Sequence, residues 1–143
     1  MFVYKYPRPA LTVDAVVFCE EETNYSVLLI KRKNPPFQDC WAFPGGFVDM
    51  DETVEQAAVR ELEEETCLNN ISLRQLKTYS AIDRDPRGRT VSVVFVGFTD
   101  STNREVKGAD DAAEAKWFSL NKLPELAFDH KGILQDAIEE INK

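Results

Sequence analysis

A chain of 143 residues is long enough for one domain with a sizeable core and too short for two comfortable ones. Hydrophobic content of 43% and charged content of 29% are ordinary for a globular protein in water. A formal net charge of −8 weighs against nonspecific binding to nucleic acid or to an anionic membrane, so an anionic substrate would need local help from metal and arginines.

Taken in order, residues 11–19 (LTVDAVVFC) and 25–32 (YSVLLIKR) read as strands, with the turn EETN between them. From Lys33 to Gly46 the chain reads as irregular, because Pro35, Pro36 and Pro44 block a long helix or a central strand. Phe37, Trp41 and Phe43 punctuate this stretch as core cover, although a ring near a catalytic loop could stack on a base. Thr53 followed by Gln56 is a capping-box pattern, which predicts a helix from there to Thr66. Residues 71–82 read as a long strand and 83–89 (DRDPRGR) as an exposed turn carrying Arg84, Arg87 and Arg89. Residues 90–98 resume the strand pattern, 101–113 form a polar loop, 114–119 a short strand and 120–126 a connection. The stripe Ile133, Leu134, Ala137, Ile138 and Ile141 marks a second amphipathic helix over 129–142. Strands interrupted by two such helices suggest a mixed sheet covered on both sides.

Cys19, Cys40 and Cys67 are an odd number without metal-site spacing, which fits reduced thiols in a cytoplasmic protein. No apolar run of signal or membrane length is visible.

The first helix concentrates the chemistry. At about 100° per residue, Glu61, Glu64 and Glu65 fall on the same arc as Val54, Ala57 and Ala58. An acidic run on a helix is ordinarily a solvated face, but here the carboxylates continue the apolar one. Three like charges there repel at i,i+3 and i,i+4, and desolvation adds to the cost. A hard divalent cation relieves both, and magnesium suits one or two carboxylates completed by water and substrate phosphates. Arg60 sits beside Glu64 and can orient it or reach back to Glu52.

Gly46, Glu52 and Arg60-Glu61-Leu62-Glu63-Glu64-Glu65 stand at the spacing of the Nudix box, so the chain resembles the Nudix hydrolase family. The box pattern expects glycine after Thr66, where this chain has Cys67 followed by the expected apolar Leu68. YPRPALTVD, WAFPGGFVD, RDPRGRTVSVVF and AEAKWFSLNKLPELAFDH extend the resemblance toward the subgroup that includes ADP-ribose pyrophosphatases. It covers nearly the whole chain, implying a single domain over residues 1–143 with the box at 46–68 and an α/β/α sandwich around a mixed β-sheet.

The resemblance implies attack of a metal-activated water on a phosphorus of a nucleoside diphosphate derivative, most simply ADP-ribose giving AMP and ribose 5-phosphate. By carry-over Glu61 and Glu65 are metal ligands, Glu64 is a third candidate and the Gly46 carbonyl can complete the shell. The cofactor implied is Mg2+, with Mn2+ as substitute. Glu52 and Arg60 brace the helix against the loop. An acid outside the box assists the water, with Asp111 or Asp110 the candidates and Glu114 the fallback. Arg84, Arg87 and Arg89 are placed on substrate phosphate or terminal ribose, with Arg32 and Trp41 as further contacts. His130, the only histidine, reads as a capping or packing residue. The partner implied is a small nucleotide, without nucleic acid or membrane, and the family is compatible with a homodimer. Two alternatives stay open: a pyrophosphohydrolase of modified nucleoside triphosphates, and a non-catalytic ADP-ribose sensor. Regulators of the sensor kind carry an added winged-helix domain, and this sequence ends where that domain would begin.

Overall fold

The computed structural model describes residues 2–143. Strand β1 (Ala10–Glu20) is buried without interruption from Thr12 to Cys19, as a run this apolar must be when layers cover both its faces. Strand β2 (Tyr25–Arg32) pairs antiparallel with β1 next to the hairpin turn, from Phe18↔Val27 to Glu20↔Tyr25. Farther from the turn both strands take other partners. β3 (Trp41–Ala42) pairs with β2, and β4 (Gly45–Phe47) pairs with β1. The stretch read as irregular therefore holds two strands, kept to two and three residues on either side of Pro44.

Two further strands follow the first helix, β5 (Arg74–Tyr79) and β6 (Thr90–Thr99), and then β7 (Ala112–Ser119). β6 runs parallel to β1 in unbroken register from Ala10↔Thr90 to Cys19↔Thr99. β5 lies antiparallel on β6 and β7 antiparallel on β2, giving the mixed order β3-β2-β1-β6-β5 with β4 on β1 and β7 on β2. β5 is shorter than the predicted 71–82. Ile71 and Leu73 turn inward to pack over Gly97, where a Cβ would stand 2.8 Å from each of them, and Ile82 is exposed. β7 starts two residues earlier than predicted, at Ala112.

The alternation of side chains along β1 sorts the two helices onto opposite faces. Val13, Ala15 and Val17 meet α1 (Val54–Thr66) through Ala57, Ala58 and Leu62. Val16 and Phe18 share a cluster with Ile133, Leu134 and Ala137 of α2 (His130–Ile141). The result is the α/β/α arrangement. On the α2 side the row turns polar at one end, with Thr12 and Asp14 on β1 and Ser92 on β6, and Thr12 hydrogen-bonds Ser92. The site opens at that end. Among the described residues no helix is long and apolar enough to cross a membrane.

Candidate active site

Helix α1 is fixed at both ends before it offers any chemistry. The Gln56 N–H donates to Thr53 Oγ1 at 3.1 Å and the Thr53 N–H to Gln56 Oε1 at 2.9 Å, closing the capping box. At the other end Cys67 takes the left-handed conformation, φ 63°, and its N–H reaches the Glu63 carbonyl. The turn expected of glycine is therefore made by a cysteine, at a backbone cost of about 1 kcal/mol.

The acidic side chains of α1 meet the backbone of β4. Glu65 is buried, and its Oε1 accepts the Gly45 N–H at 2.7 Å. Burial pushes its carboxyl up to about 9, against the pull of the Gly45 hydrogen bond, and the charge of Glu61 adds to the rise. Glu61 lies so close to Gly46 that a Cβ there would stand 2.7 Å from its carboxyl carbon. Burial raises its pKa as well, with Arg60 opposing. Arg60 donates to Glu52 at 2.6 and 2.9 Å, to Glu61 at 2.6 Å, to Glu64 at 3.1 Å and to the Phe47 carbonyl at 3.1 Å. Hydrogen bonds from Arg60, then from the Asp49 N–H, hold Glu52 down at about 2.

These oxygens suit a hard divalent cation. Two desolvated carboxylates, with pKa values raised by burial, stand beside a glycine whose missing side chain leaves them room. Among the described residues no three Asp, Glu, His or Cys side chains converge into a ready-made cage.

The same cleft, of about 390 Å3, has a cationic side. Arg32 donates Nε to the Pro36 carbonyl at 2.7 Å, and Arg87 forks onto the buried Asp85, with Nη2 at 2.7 Å from Oδ2. Both guanidiniums stand over the ring of Phe128, at 5.0 and 5.5 Å from its centroid. Asp110 and Asp111 line the cleft between β7 and the acidic helix.

The NUDIX domain family matches residues 8–137. The chain belongs to the Nudix family. It is 50% identical over 131 residues to a protein of Methanocaldococcus jannaschii named ADP-ribose pyrophosphatase, covering 92% of this chain and 74% of that one. The NUDIX domain of Shewanella oneidensis NrtR, solved in complex with ADP ribose, superposes with a TM-score of 0.88 at 33% identity, covering 95% of this chain and 90% of that one. A bifunctional NMN adenylyltransferase/ADP ribose pyrophosphatase of Francisella tularensis, solved with AMP and a Mn ion, gives 0.81 at 36% identity. This chain is covered to 96% in that match but spans only 43% of the bifunctional chain.

Within this Nudix domain the cleft gathers Gly46, Glu61, Glu65, Asp111, Arg32, Arg84 and Arg87. Other expected site residues stand apart from its lining. Glu64 is on the exposed flank of α1, tied to Arg60. Trp41 is turned to the α2 side, edge-on against Phe118 at 4.7 Å, so its ring is core cover. Arg89 is exposed and reaches only the Ala81 carbonyl at 3.4 Å. Glu114, the fallback acid, pairs with Lys31 at 3.6 Å.

Arg84 corrects the expectation of an exposed turn. Its side chain is 4% exposed, and it donates to both Asp129 oxygens at 2.8 and 2.9 Å and to Ser92 Oγ at 2.6 Å. With those donors engaged it holds the turn to the start of α2. His130 is buried there, and its Nδ1 accepts the Phe43 N–H at 3.2 Å, which leaves the hydrogen of the neutral ring on Nε2. Burial lowers its pKa to about 3.

Sequence reasoning missed Asp14. It lines the cleft, its Oδ2 is 3.7 Å from His130 Nε2, and burial pushes its carboxyl up to about 7 with Arg84 opposing. The available signal was an acid in mid-strand on the same face as Thr12, at a position where an apolar side chain belongs.

Proposed function

We infer that this protein is a divalent-metal-dependent pyrophosphohydrolase that splits ADP-ribose, with one water, into AMP and ribose 5-phosphate. The observation that carries this reading is the pair of half-buried Glu61 and buried Glu65 in a cleft that also presents Arg32 and Arg87. The substrate is supported by the half-identical archaeal ADP-ribose pyrophosphatase and by the ADP-ribose complex of the NrtR domain. The ion proposed is magnesium, with manganese as substitute; when bound, it supplies charge neutralisation and an activated water.

In this reading Glu61, Glu65 and the Gly46 carbonyl would hold the ion, with Glu64, on the exposed flank of α1, as a third candidate carboxylate. Arg60 keeps Glu61 and Glu64 in register through its bonds to both and to Glu52. A carboxylate oxygen of Asp111 takes the proton of the attacking water. The water oxygen bonds to one phosphorus, and the bridging oxygen leaves with the other phosphate. Arg32 and Arg87 hold the non-bridging oxygens whose charge must be balanced for that displacement.

Incubating the protein with magnesium and either ADP-ribose or modified nucleoside triphosphates, with products separated by chromatography, tests the reading. AMP and ribose 5-phosphate in equal amounts are expected. Intact ADP-ribose, with pyrophosphate released from a modified triphosphate, overturns it.

A further inference from the structure

Phe128 is an unusual residue to find where it stands. The chain before it is clamped to β3, since the Ala127 N–H donates to the Trp41 carbonyl at 2.8 Å and the Trp41 N–H to the Glu125 carbonyl at 3.2 Å. The chain after it is clamped too, because Asp129 is forked by Arg84. Between these anchors Phe128 adopts φ 53°, a left-handed conformation that a bulky side chain adopts rarely and at a cost. Such strain, held in place from both sides at the wall of a cleft, points to a role for the side chain it aims.

That side chain stands beside two of the cleft's cations. Arg32 comes from the end of β2 and Arg87 from the turn after β5, and their guanidinium carbons lie 5.0 and 5.5 Å from the Phe128 centroid. Phe37 packs on the same ring at 4.8 Å between centroids, and His130 follows at 5.5 Å, so the ring is held by its neighbours. Two guanidiniums near one another repel. Asp85, forked by Arg87, supplies one counter-charge, and the Phe47 ring lies 5.3 Å from the same guanidinium. The negative face of Phe128 is what the two arginines share, and it offsets their repulsion while leaving Arg87 Nη1 and the Arg32 Nη groups for an anion. Arg32 is close enough to Glu65 and Asp111 to feel their charge, so an anion held by the pair lies next to the acidic wall.

We propose that Phe128 is a positioning residue, whose ring sets Arg32 and Arg87 as a two-pronged holder for the diphosphate oxygens of the substrate. It rests on the functional reading above only for the substrate's name, because the holder itself would take any diphosphate. Arg84 is the brace of this device, fixing the turn that carries Arg87 to the segment that carries Phe128.

The test is binding by calorimetry with metal chelated, so that nothing is turned over, using ADP-ribose and inorganic pyrophosphate as probes. The proteins are wild type, Phe128→Leu, Phe128→Tyr, Arg32→Ala/Arg87→Ala and that double variant with Phe128→Leu added, each checked by thermal melting. Leucine keeps an apolar side chain at φ 53° and loses the ring face; tyrosine keeps the face. Phe128→Leu is expected to weaken both probes roughly five- to tenfold, Phe128→Tyr to bind as wild type, and Phe128→Leu to add nothing once both arginines are gone. The proposal is overturned if Phe128→Leu binds like wild type, if Phe128→Tyr is as weak as Phe128→Leu, or if the leucine effect persists undiminished without the arginines. Wild type that binds pyrophosphate with this dependence upholds the holder whether or not ADP-ribose binds; wild type that binds neither probe overturns the holder, while the ADP-ribose reading stands or falls on the magnesium turnover assay.

Discussion

Arg84 places Nε and Nη2 on the two carboxylate oxygens of Asp129, 45 residues away, at 2.9 and 2.8 Å. Truncating it leaves Asp129 and Ser92 without their donor at a site where Arg84 is almost fully buried. Because Asp129 keeps about a third of its exposure, the loss for Arg84→Ala is set at about 1.5 to 3 kcal/mol, below that of a fully buried pair. Arg89→Ala, on the exposed side of the same turn, should stay within about 0.5 kcal/mol of wild type. Urea unfolding of the two variants checks this contrast, and equal stability of both would remove the brace.

Glu65→Gln separates fold from chemistry. The amide Oε1 can still accept the Gly45 N–H, and the neutral side chain avoids the desolvation that raises the native pKa to about 9. The variant should therefore melt at or above the wild-type temperature in chelator. Its turnover of ADP-ribose should fall on the order of a hundredfold or more, and the rise in melting temperature on adding magnesium should shrink. A variant that turns over normally would take Glu65 out of the ion's ligand set.

The same group gives a pH dependence whose sign follows from linkage. Glu65 has a folded pKa, near 9, above its ordinary value of 4.5, so its contribution is fully present below 4.5 and is lost as pH rises toward 9. Asp14, raised from 3.8 to about 7, acts in the same direction, while His130, lowered from 6.5 to about 3, acts oppositely. Between about 4 and 6.5 those two offset each other. Above pH 7 both have the same charge in the folded and unfolded chain, and Glu65 remains. Metal-free protein should lose stability from pH 7 to 9 with a slope of at most about 1.4 kcal/mol per unit. Glu65→Gln should flatten that slope, and saturating magnesium should reduce it. Denaturant midpoints at a series of pH values measure it, and a slope retained in the glutamine variant would assign it elsewhere.

The parts of this site legible in the sequence are those that neighbouring residues determine. Thr53 and Gln56 are three apart, so the cap they form and the helix that begins at Val54 are both local in sequence. Glu61 and Glu65 share a face because they are one turn apart. Asp14 was not legible, since its meaning depends on Ser92 and His130, brought to it by the parallel β1–β6 pairing and by α2. Arg84, Arg87 and Arg89 look alike in a turn of seven residues. What distinguishes them is their surroundings: Asp129 before α2 and Ser92 hold the first almost fully buried, Asp85 and the rings of Phe47 and Phe128 hold the second, and the third is left in solvent. β3 and β4 were hidden by their length, because two and three residues flanking a proline carry no periodicity.

Gly45 and Gly46, adjacent and identical in type, should respond to alanine in opposite ways. Neither has the positive φ that demands glycine, so the requirement in both is space. A Cβ on Gly45 would stand 2.2 Å from the Val13 carbonyl oxygen and 2.4 Å from Asp14 Oδ1. Val13 belongs to β1, which is locked to β6 over ten registered pairs and cannot yield without opening the sheet. Gly45→Ala should therefore cost about 3 kcal/mol or more and disturb the fold. A Cβ on Gly46 would instead meet the end of the Glu61 side chain, at 2.7 Å from its carboxyl carbon. A side chain can move where a strand cannot, but this one is tied by a 2.6 Å bond to Arg60, itself bound to Glu52. Gly46→Ala should keep the fold and displace Glu61 from the position in which it meets the ion. Metal affinity should drop on the order of 10- to 100-fold, as it does when the groups orienting a ligand are altered. Magnesium titrations of activity and of melting temperature give that constant independently. If Gly46→Ala matched wild type in both while remaining folded, Glu61 would not be held against Gly46 for the sake of the ion.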